Sequence, residues 1–498
     1  MKVQNTIILA LGITIIIILG AVFLQNPQIT QTNTENAETE VNLENNETFL
    51  INAEKTTKEI NGQKIDFFGY NGISPGPLLK VKQESSANIS FKNQIGEDTT
   101  VHWHGLRLDN EFDGVPGVTQ EPIKNGESFL YKLKFPDPGL YWYHPHIRED
   151  KQQELGLYGG ILVQPTQEDY YNKANKEEVI FLDDIKLSNG QPLFYNDLTD
   201  HALMGRFGNV MLTNGKTDYE LKMKKGEVVR LFFANAANTR TFNVTIPGTK
   251  MKLVGSDGGT FEKEEFVDSI IISPSERYIA EVLFESEGTY EILNKTPVSN
   301  YAIGKIIVSN EKSENDFSAG FYSLRENNYL KESVEKYREF FNKEIDAELR
   351  LNIRMGHMMN MPHMEETEIE WEDSLGAMNS HMTDALTTWI IQDKKTGKEN
   401  EEIHFSWKKG DLVKIRLYND PTSMHPMQHP IHFHGQRFLV LNKDGIANEN
   451  LVWKDTVLVP KGATIDILLE ITNSGKWMAH CHIAEHLESG MMFMFNVA

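Results

Sequence analysis

The sequence predicts an all-β protein built as three tandem β-sandwich domains. Three observations carry this. The 498 residues exceed what one core supports and fit about three domains. A strand-like segment recurs three times, and so does a glycine-led strand. The first repeat is Leu79-Lys80-Val81-Lys82-Gln83 running to Asn93, Leu221-Lys222-Met223-Lys224-Lys225 running to Asn235, and Phe405-Ser406-Trp407-Lys408-Lys409 running to Asn419. Each copy alternates apolar and polar residues, turns and alternates again, which reads as a β-hairpin. The second is Gly139-Leu140-Tyr141, Gly288-Thr289-Tyr290 and Gly475-Lys476-Trp477, each opening a late strand. Short strands separated by turn residues form sandwiches. The domains are placed at residues 49–165, 166–310 and 346–498, with a partly helical linker at 311–345.

Ahead of the first domain, Met1-Lys2-Val3-Gln4-Asn5 precedes an uncharged apolar run from Thr6 to Leu24. A membrane span needs roughly 20 apolar residues, and Lys2 is the flank that stays cytoplasmic. Residues 1–25 therefore read as a signal-anchor or export signal, cleaved or not, rather than a core helix. Residues 26–48, rich in Asn, Thr, Gln and Glu, read as a disordered tether. This expectation places the working part outside the cytoplasm, membrane-anchored or secreted. The formal charge of −22, with 71 acidic against 49 basic residues, excludes nucleic acid as a partner. No segment signals self-association, and a monomer is expected.

The copies of the second repeat differ in chemistry. Five and seven residues past the glycine, the first has His144 and His146, the third has His480 and His482, and the second has Leu293 and Lys295. A metal site thus belongs to domains one and three, with domain two as a spacer. Four His-x-His pairs occur: His102/His104, His144/His146, His432/His434 and His480/His482. Residues i and i+2 of a strand share a face, so each pair presents two imidazoles together, and imidazole suits copper. One such pair is a weak signal, but four in two repeats are not an accident. They supply eight nitrogens, enough for three coppers.

Cys481 is the single cysteine, which by count alone reads as an incidental buried thiol. Its neighbours reverse that reading. Alternation turns its sulfur away from His480 and His482. His429, His486 and Met491 complete two imidazoles, a thiolate and a thioether, the donor set of a blue-copper site. A zinc site would want more thiolates or a closed four-ligand set. One strand then carries the blue-copper sulfur on one face and ligands of the other metals on the opposite face.

The motifs His102-Trp103-His104-Gly105, His144-Pro145-His146, His429-Pro430-Ile431-His432-Phe433-His434-Gly435 and the run from His480 to Met492 resemble those of the multicopper oxidases. The likeness is to the three-domain form of laccases and bacterial copper-efflux oxidases, and it extends from about Asn61 onward. It implies cupredoxin domains of Greek-key topology and four coppers per chain. It assigns His429, Cys481, His486 and Met491 to the type 1 copper, and His102 and His432 to the type 2 copper. His104, His144, His146, His434, His480 and His482 fall to the type 3 pair. The activity it implies takes single electrons from a reductant at type 1 and reduces O2 to water at the other three. It also points to Asp113, in Glu111-Phe112-Asp113-Gly114, as the acid beside the cluster; the alternative is a turn aspartate before glycine. A second acid that bacterial members carry after the last type 1 histidine is Leu487 here, with Glu485 and Glu488 nearby.

The reductant is read from the remaining soft residues. Met355-Gly356-His357-Met358-Met359-Asn360-Met361-Pro362-His363-Met364, with Met378, His381 and Met382 beyond, reads as an exposed insertion at 355–382 in domain three. Thioethers select Cu(I). Met424 and Met427 abut the type 1 ligand His429, and Met427 falls where copper-efflux oxidases place a substrate-copper ligand. Met427, Met424, Met355, Met358, Met359, Met361 and Met364 are thus candidates to bind Cu(I) as substrate in a copper-tolerance role. The competing reading is an adaptable apolar lid over a pocket for phenols or other organic reductants. A copper-sequestering protein would not need the wired cluster, and a copper nitrite reductase would leave most His-x-His pairs without a role.

Overall fold

The computed structural model describes residues 39–356 and 367–498. These residues form three two-sheet β-sandwiches. In the first, the strands Glu40–Asn42, Gly76–Lys82, Gly159–Gln164, Gly139–His144 and His102–His104 form one sheet in that spatial order. The facing sheet is Gln63–Tyr70, Glu47–Ile60, Ser86–Gln94 and Ser128–Lys134. Ile51, Ile89, Phe91, Trp103 and Ile161 are fully buried between them. Glu47–Ile60 and Gln63–Tyr70 form a true hairpin, because Asn61 and Gly62 both hold positive φ (52° and 76°), as its two-residue turn requires.

The second sandwich packs a six-stranded sheet on a five-stranded one around Leu231, Phe233, Phe242 and Ile306. In the third, a seven-stranded sheet covers the sheet ordered His404–Trp407, Met492–Val497, Gly475–Cys481, His429–Phe433 and Thr456–Val459. The sandwiches pack on one another through apolar clusters. Leu140 and Trp142 of the first meet Phe181 and Phe232 of the second, and Val115 of the first meets Met478 and Leu487 of the third.

The thrice-repeated segment is not a hairpin. Gly76–Lys82 and Ser86–Gln94 belong to opposite sheets, as do Glu220–Lys225 and Val228–Asn235, and His404–Trp407 and Leu412–Asn419. All six strands instead pair in parallel with strands distant in sequence. Alternation specifies which side chains face the core, but not which strand lies alongside.

Two further expectations are corrected. The stretch read as a tether contains the strand Glu40–Asn42, which pairs in parallel with Leu78–Lys80 and buries Val41. The segment read as an exposed insertion is anchored in the third core at both ends. Met355 ends the strand Ala347–Met355, and Met355 and Met382 are buried in the same apolar cluster. His357, Met358, Met359, Met361, His363 and Met364 lie outside the described residues, as does the apolar run Thr6–Leu24. Among the described residues no helix is long and apolar enough to cross a membrane.

Between the second and third sandwiches run the helices Ser318–Tyr322 and Asn328–Glu335 and the 3-10 turn Arg338–Asn342. Asn327 caps the longer helix by accepting from the Leu330 N–H at 2.9 Å. Leu330, Val334 and Tyr337 dock on Leu439, Leu451 and Trp453 of the third sandwich.

Candidate metal centre

Two antiparallel strand pairs, one from the first sandwich and one from the third, build the site. His102 lies opposite His144, and His432 lies opposite His480. The eight imidazoles converge at the junction of the two sandwiches, and all are buried. His104, His144 and His482 bring one ring nitrogen each within 4.8 Å of one another, and so do His146, His434 and His480. His102 and His432 form a third group, which shares His104. The eight residues predicted from the His-x-His pairs are therefore brought together.

Hydrogen bonds fix which nitrogen faces inward. His102 Nδ1 is 2.7 Å from the Asp113 carbonyl, His144 Nδ1 is 2.9 Å from the Pro145 carbonyl, and His480 Nδ1 is 2.9 Å from the Cys481 carbonyl. His432 Nδ1 donates to the Asp455 carbonyl at 2.9 Å, and His434 Nδ1 to Asp113 Oδ2 at 2.9 Å. His104 is reversed, with Nε2 on Asp455 Oδ1 at 3.0 Å, so Nδ1 is its free nitrogen. Asp113 thus touches two ligands. Gly114, at φ +84°, makes this possible, because a Cβ there would sit 1.9 Å from the Val101 carbonyl oxygen.

The donor set fits copper. His102 Nε2, His104 Nδ1, His144 Nε2, His146 Nε2, His432 Nε2 and both His482 nitrogens are buried without a hydrogen-bond partner among the described residues. Buried polar atoms are rarely left so, and a bound cation would satisfy them. His434 Nε2 and His480 Nε2 face each other at 3.0 Å. Burial, and then neighbouring imidazoles, hold His144, His146, His434, His480 and His482 well below the ordinary imidazole range. They are therefore neutral lone-pair donors.

The second site lies on the other face of the strand Gly475–Cys481. Cys481 Sγ is 3.5 Å from His429 Nδ1 and 3.8 Å from His486 Nδ1, and the two nitrogens are 3.4 Å apart. Met491 is fully buried beside them, its carbonyl accepting from the Cys481 N–H and its own N–H donating to the His486 carbonyl. Trp389 stacks on His486 at 4.0 Å and seals the group from water. Burial lowers His429 to about 3, which keeps its imidazole neutral, and raises the Cys481 thiol, so a cation bound there would have to displace the sulfur's proton.

Several contributors carry no motif. Asp455 accepts from His104 and binds the Arg277 guanidinium through Arg277 Nη1 at 2.7 Å. Arg277 belongs to the second sandwich, so the unit read as a spacer supplies no ligand but anchors one. Thr456 Oγ1 lies 3.1 Å from His104 Nε2. Glu149 Oε1 lies 3.2 Å from His146 Nδ1. Asp455, Thr456 and Arg277 are far in sequence from the His104 they support, so only the fold reveals them, whereas Glu149 follows its partner His146 by three residues.

The two acids near Leu487 separate. Glu485 faces the second sandwich, accepting from Thr239 Oγ1 at 3.0 Å. Glu488 accepts from the Glu149 N–H at 3.1 Å and lines a cavity with His146. The candidate substrate methionines also divide. Met427 and Met355 are buried in the third core, whereas Met424 is 42% exposed.

Sequence profiles of the multicopper oxidases match residues 52–168, 165–312 and 371–498. The multicopper oxidase mco of Staphylococcus aureus is 27% identical, over 90% of this chain and 88% of that protein. A copper resistance protein A homolog of Pseudomonas syringae pv. tomato is 24% identical, over 89% and 91%. The solved multicopper oxidase of Campylobacter jejuni, described as a metallo-oxidase, superposes with a TM-score of 0.69 at 24% identity, over 95% of this chain and 98% of that one.

Proposed function

The chain belongs to the multicopper oxidase family, and on that premise we propose that its reductant is Cu(I). Bound copper supplies one-electron chemistry at the Cys481 site and the reduction of O2 to water at the histidine cluster. His429, Cys481, His486 and Met491 would hold the first copper, His102 and His432 the second, and the remaining six cluster histidines the pair. Cys481 is bonded directly to His480 and His482, so the two sites communicate along unbroken chain. Asp113 Oδ2 accepts from His434 Nδ1, and its Oδ1 lies 3.4 Å from His102 Nδ1, so this carboxylate is the acid we assign to the cluster.

The observation that carries Cu(I) is the exposed side chain of Met424, five residues before His429, in a chain that places four more methionines at 358–364. Met424→Leu combined with leucine at Met358, Met359, Met361 and Met364 tests it. Cuprous oxidation should fall while turnover of a phenol is unchanged. Equal retention of both would favour an organic reductant at a laccase-type pocket. We also place the enzyme outside the cytoplasm, tethered by Thr6–Leu24; recovery in the soluble cytoplasmic fraction would contradict this.

A further inference from the structure

The face of the third sandwich that carries the cluster ligands also carries a row of soft donors. In the paired strands His404–Trp407, Met492–Val497 and Gly475–Cys481, His404 lies opposite Met494, and Met494 opposite Met478. Residues opposed across paired strands share a face. One step along, Met492 lies opposite the cluster ligand His480. The other face of these strands is the core, filled by Trp477, Cys481, Phe493 and Phe495. The row is sealed at one end, where Met478 is buried against Val115 and Leu487, and opens toward the other. His404 is exposed and Met492 and Met494 are partly so. All four side chains line a cavity of about 560 Å³ whose wall also includes His146 and Glu488.

Met478, Met492 and Met494 pack against Val115, Val118 and Leu487, but leucine would fill that wall at less cost in rotamer freedom, and packing does not call for the exposed imidazole of His404 beside them. Neighbouring strands are about 4.8 Å apart, and unbranched methionines reach across that spacing, so His404, Met494 and Met478 can converge on one ion. A neutral set of two thioethers and an imidazole is soft and selects Cu(I) over divalent ions.

We propose that His404, Met494 and Met478 form a Cu(I) site at the mouth of this cavity, and that copper enters the histidine cluster through it, with Met492 as the intermediate donor before His480 and His146. The site lies on the opposite face of the strand from Cys481. The inference rests on the cluster holding copper and is independent of Cu(I) as the reductant.

Two variants test it: Met478→Leu/Met494→Leu, which conserves volume, and His404→Ser, which alters an exposed side chain. First, the reduced copper-loaded chain, labelled at the methionine methyls, is titrated with Ag(I) as a redox-inert stand-in. The Met478 and Met494 methyl carbons should shift together. Second, the metal-free full chain is given buffered Cu(I) without oxygen, and copper per chain is followed with time. Both variants should fill the cluster several-fold more slowly than the native chain, reaching the same final copper content and the same thermal midpoint. Unshifted methyls, or a cluster that fills as fast in both variants, overturns the site. A native chain that never takes copper into the cluster overturns the reading beneath it as well.

Discussion

Asp455→Asn tests whether the second sandwich holds the cluster in place. Asp455 is 3% exposed and accepts from Arg277 Nη1 at 2.7 Å, from His104 Nε2 at 3.0 Å and from Thr456 Oγ1 at 2.9 Å. Burial alone would raise its carboxyl, but the Arg277 guanidinium and then His104 outweigh burial and hold it well below the ordinary carboxylate range. Asparagine keeps the shape and one acceptor, but it turns an N–H2 toward Arg277 or His104. Losing a charged hydrogen bond costs about 1.5–3 kcal/mol. Asp257 Oδ1, 3.6 Å from Arg277 Nη1, offsets part of the exposed charge. Loss of a residue that orients a ligand typically weakens metal binding about 10–100-fold, or roughly 1.4–2.7 kcal/mol. The assay is dialysis of the copper-loaded protein against a graded chelator, with copper counted per chain and the blue absorption followed in parallel. Cluster copper should leave at lower chelator concentration than in the native protein, with the blue centre unchanged. Cluster copper retained at the native chelator concentration would refute the role given to Asp455 and Arg277.

Further outcomes follow from the same geometry. Cys481→Ser should abolish both the blue absorption and oxygen uptake while leaving the thermal midpoint of the metal-free protein nearly unchanged, since the exchange is close to isosteric within the core. Gly114→Ala places a Cβ 1.9 Å from the Val101 carbonyl oxygen at φ +84°; strain of about 1–3 kcal/mol and a displaced Asp113 should lower both the thermal midpoint and cluster copper. Asp137 joins Arg107 of the first sandwich to Arg437 of the third, at 2.6 Å and 2.9 Å. Burial would raise its carboxyl, but the two guanidinium groups outweigh burial and hold it below the ordinary value. Such a carboxylate stabilises the fold above its unfolded pKa, and the contribution fades as pH falls through the folded value. Asp137→Asn should therefore melt below the native protein near neutrality and converge with it in acid; a gap that persists into acid would contradict the bridge.

Much of the metal chemistry was legible because strand alternation is a local property. His102/His104 and His480/His482 share faces by spacing alone, and Cys481 must then turn away. Pairing is not local: alternation in the repeated segment suggests a hairpin, whereas its two strands belong to opposite sheets. The expected tether gives way to structure at Glu40–Asn42 for a related reason. Glu40–Asn42 is too short to show a pattern and is ordered only by its parallel partner Leu78–Lys80. Asp455, Thr456 and Arg277 gain their roles from contacts across sandwiches, which a single sequence cannot display, whereas Glu149 lies only three residues from the ligand it touches. Composition marked 355–382 as a soft-metal segment, but it could not reveal that Met355 and Met382 are drawn into the core.

One strand serves two metal centres, and anomalous diffraction at the copper edge from crystals of the loaded protein tests this directly. One peak is expected bounded by His429, Cys481 and His486, and three more among the eight imidazoles beyond the backbone of that strand. A map with no peak at the sulfur, or with the paired imidazoles empty while copper sits elsewhere, would contradict it.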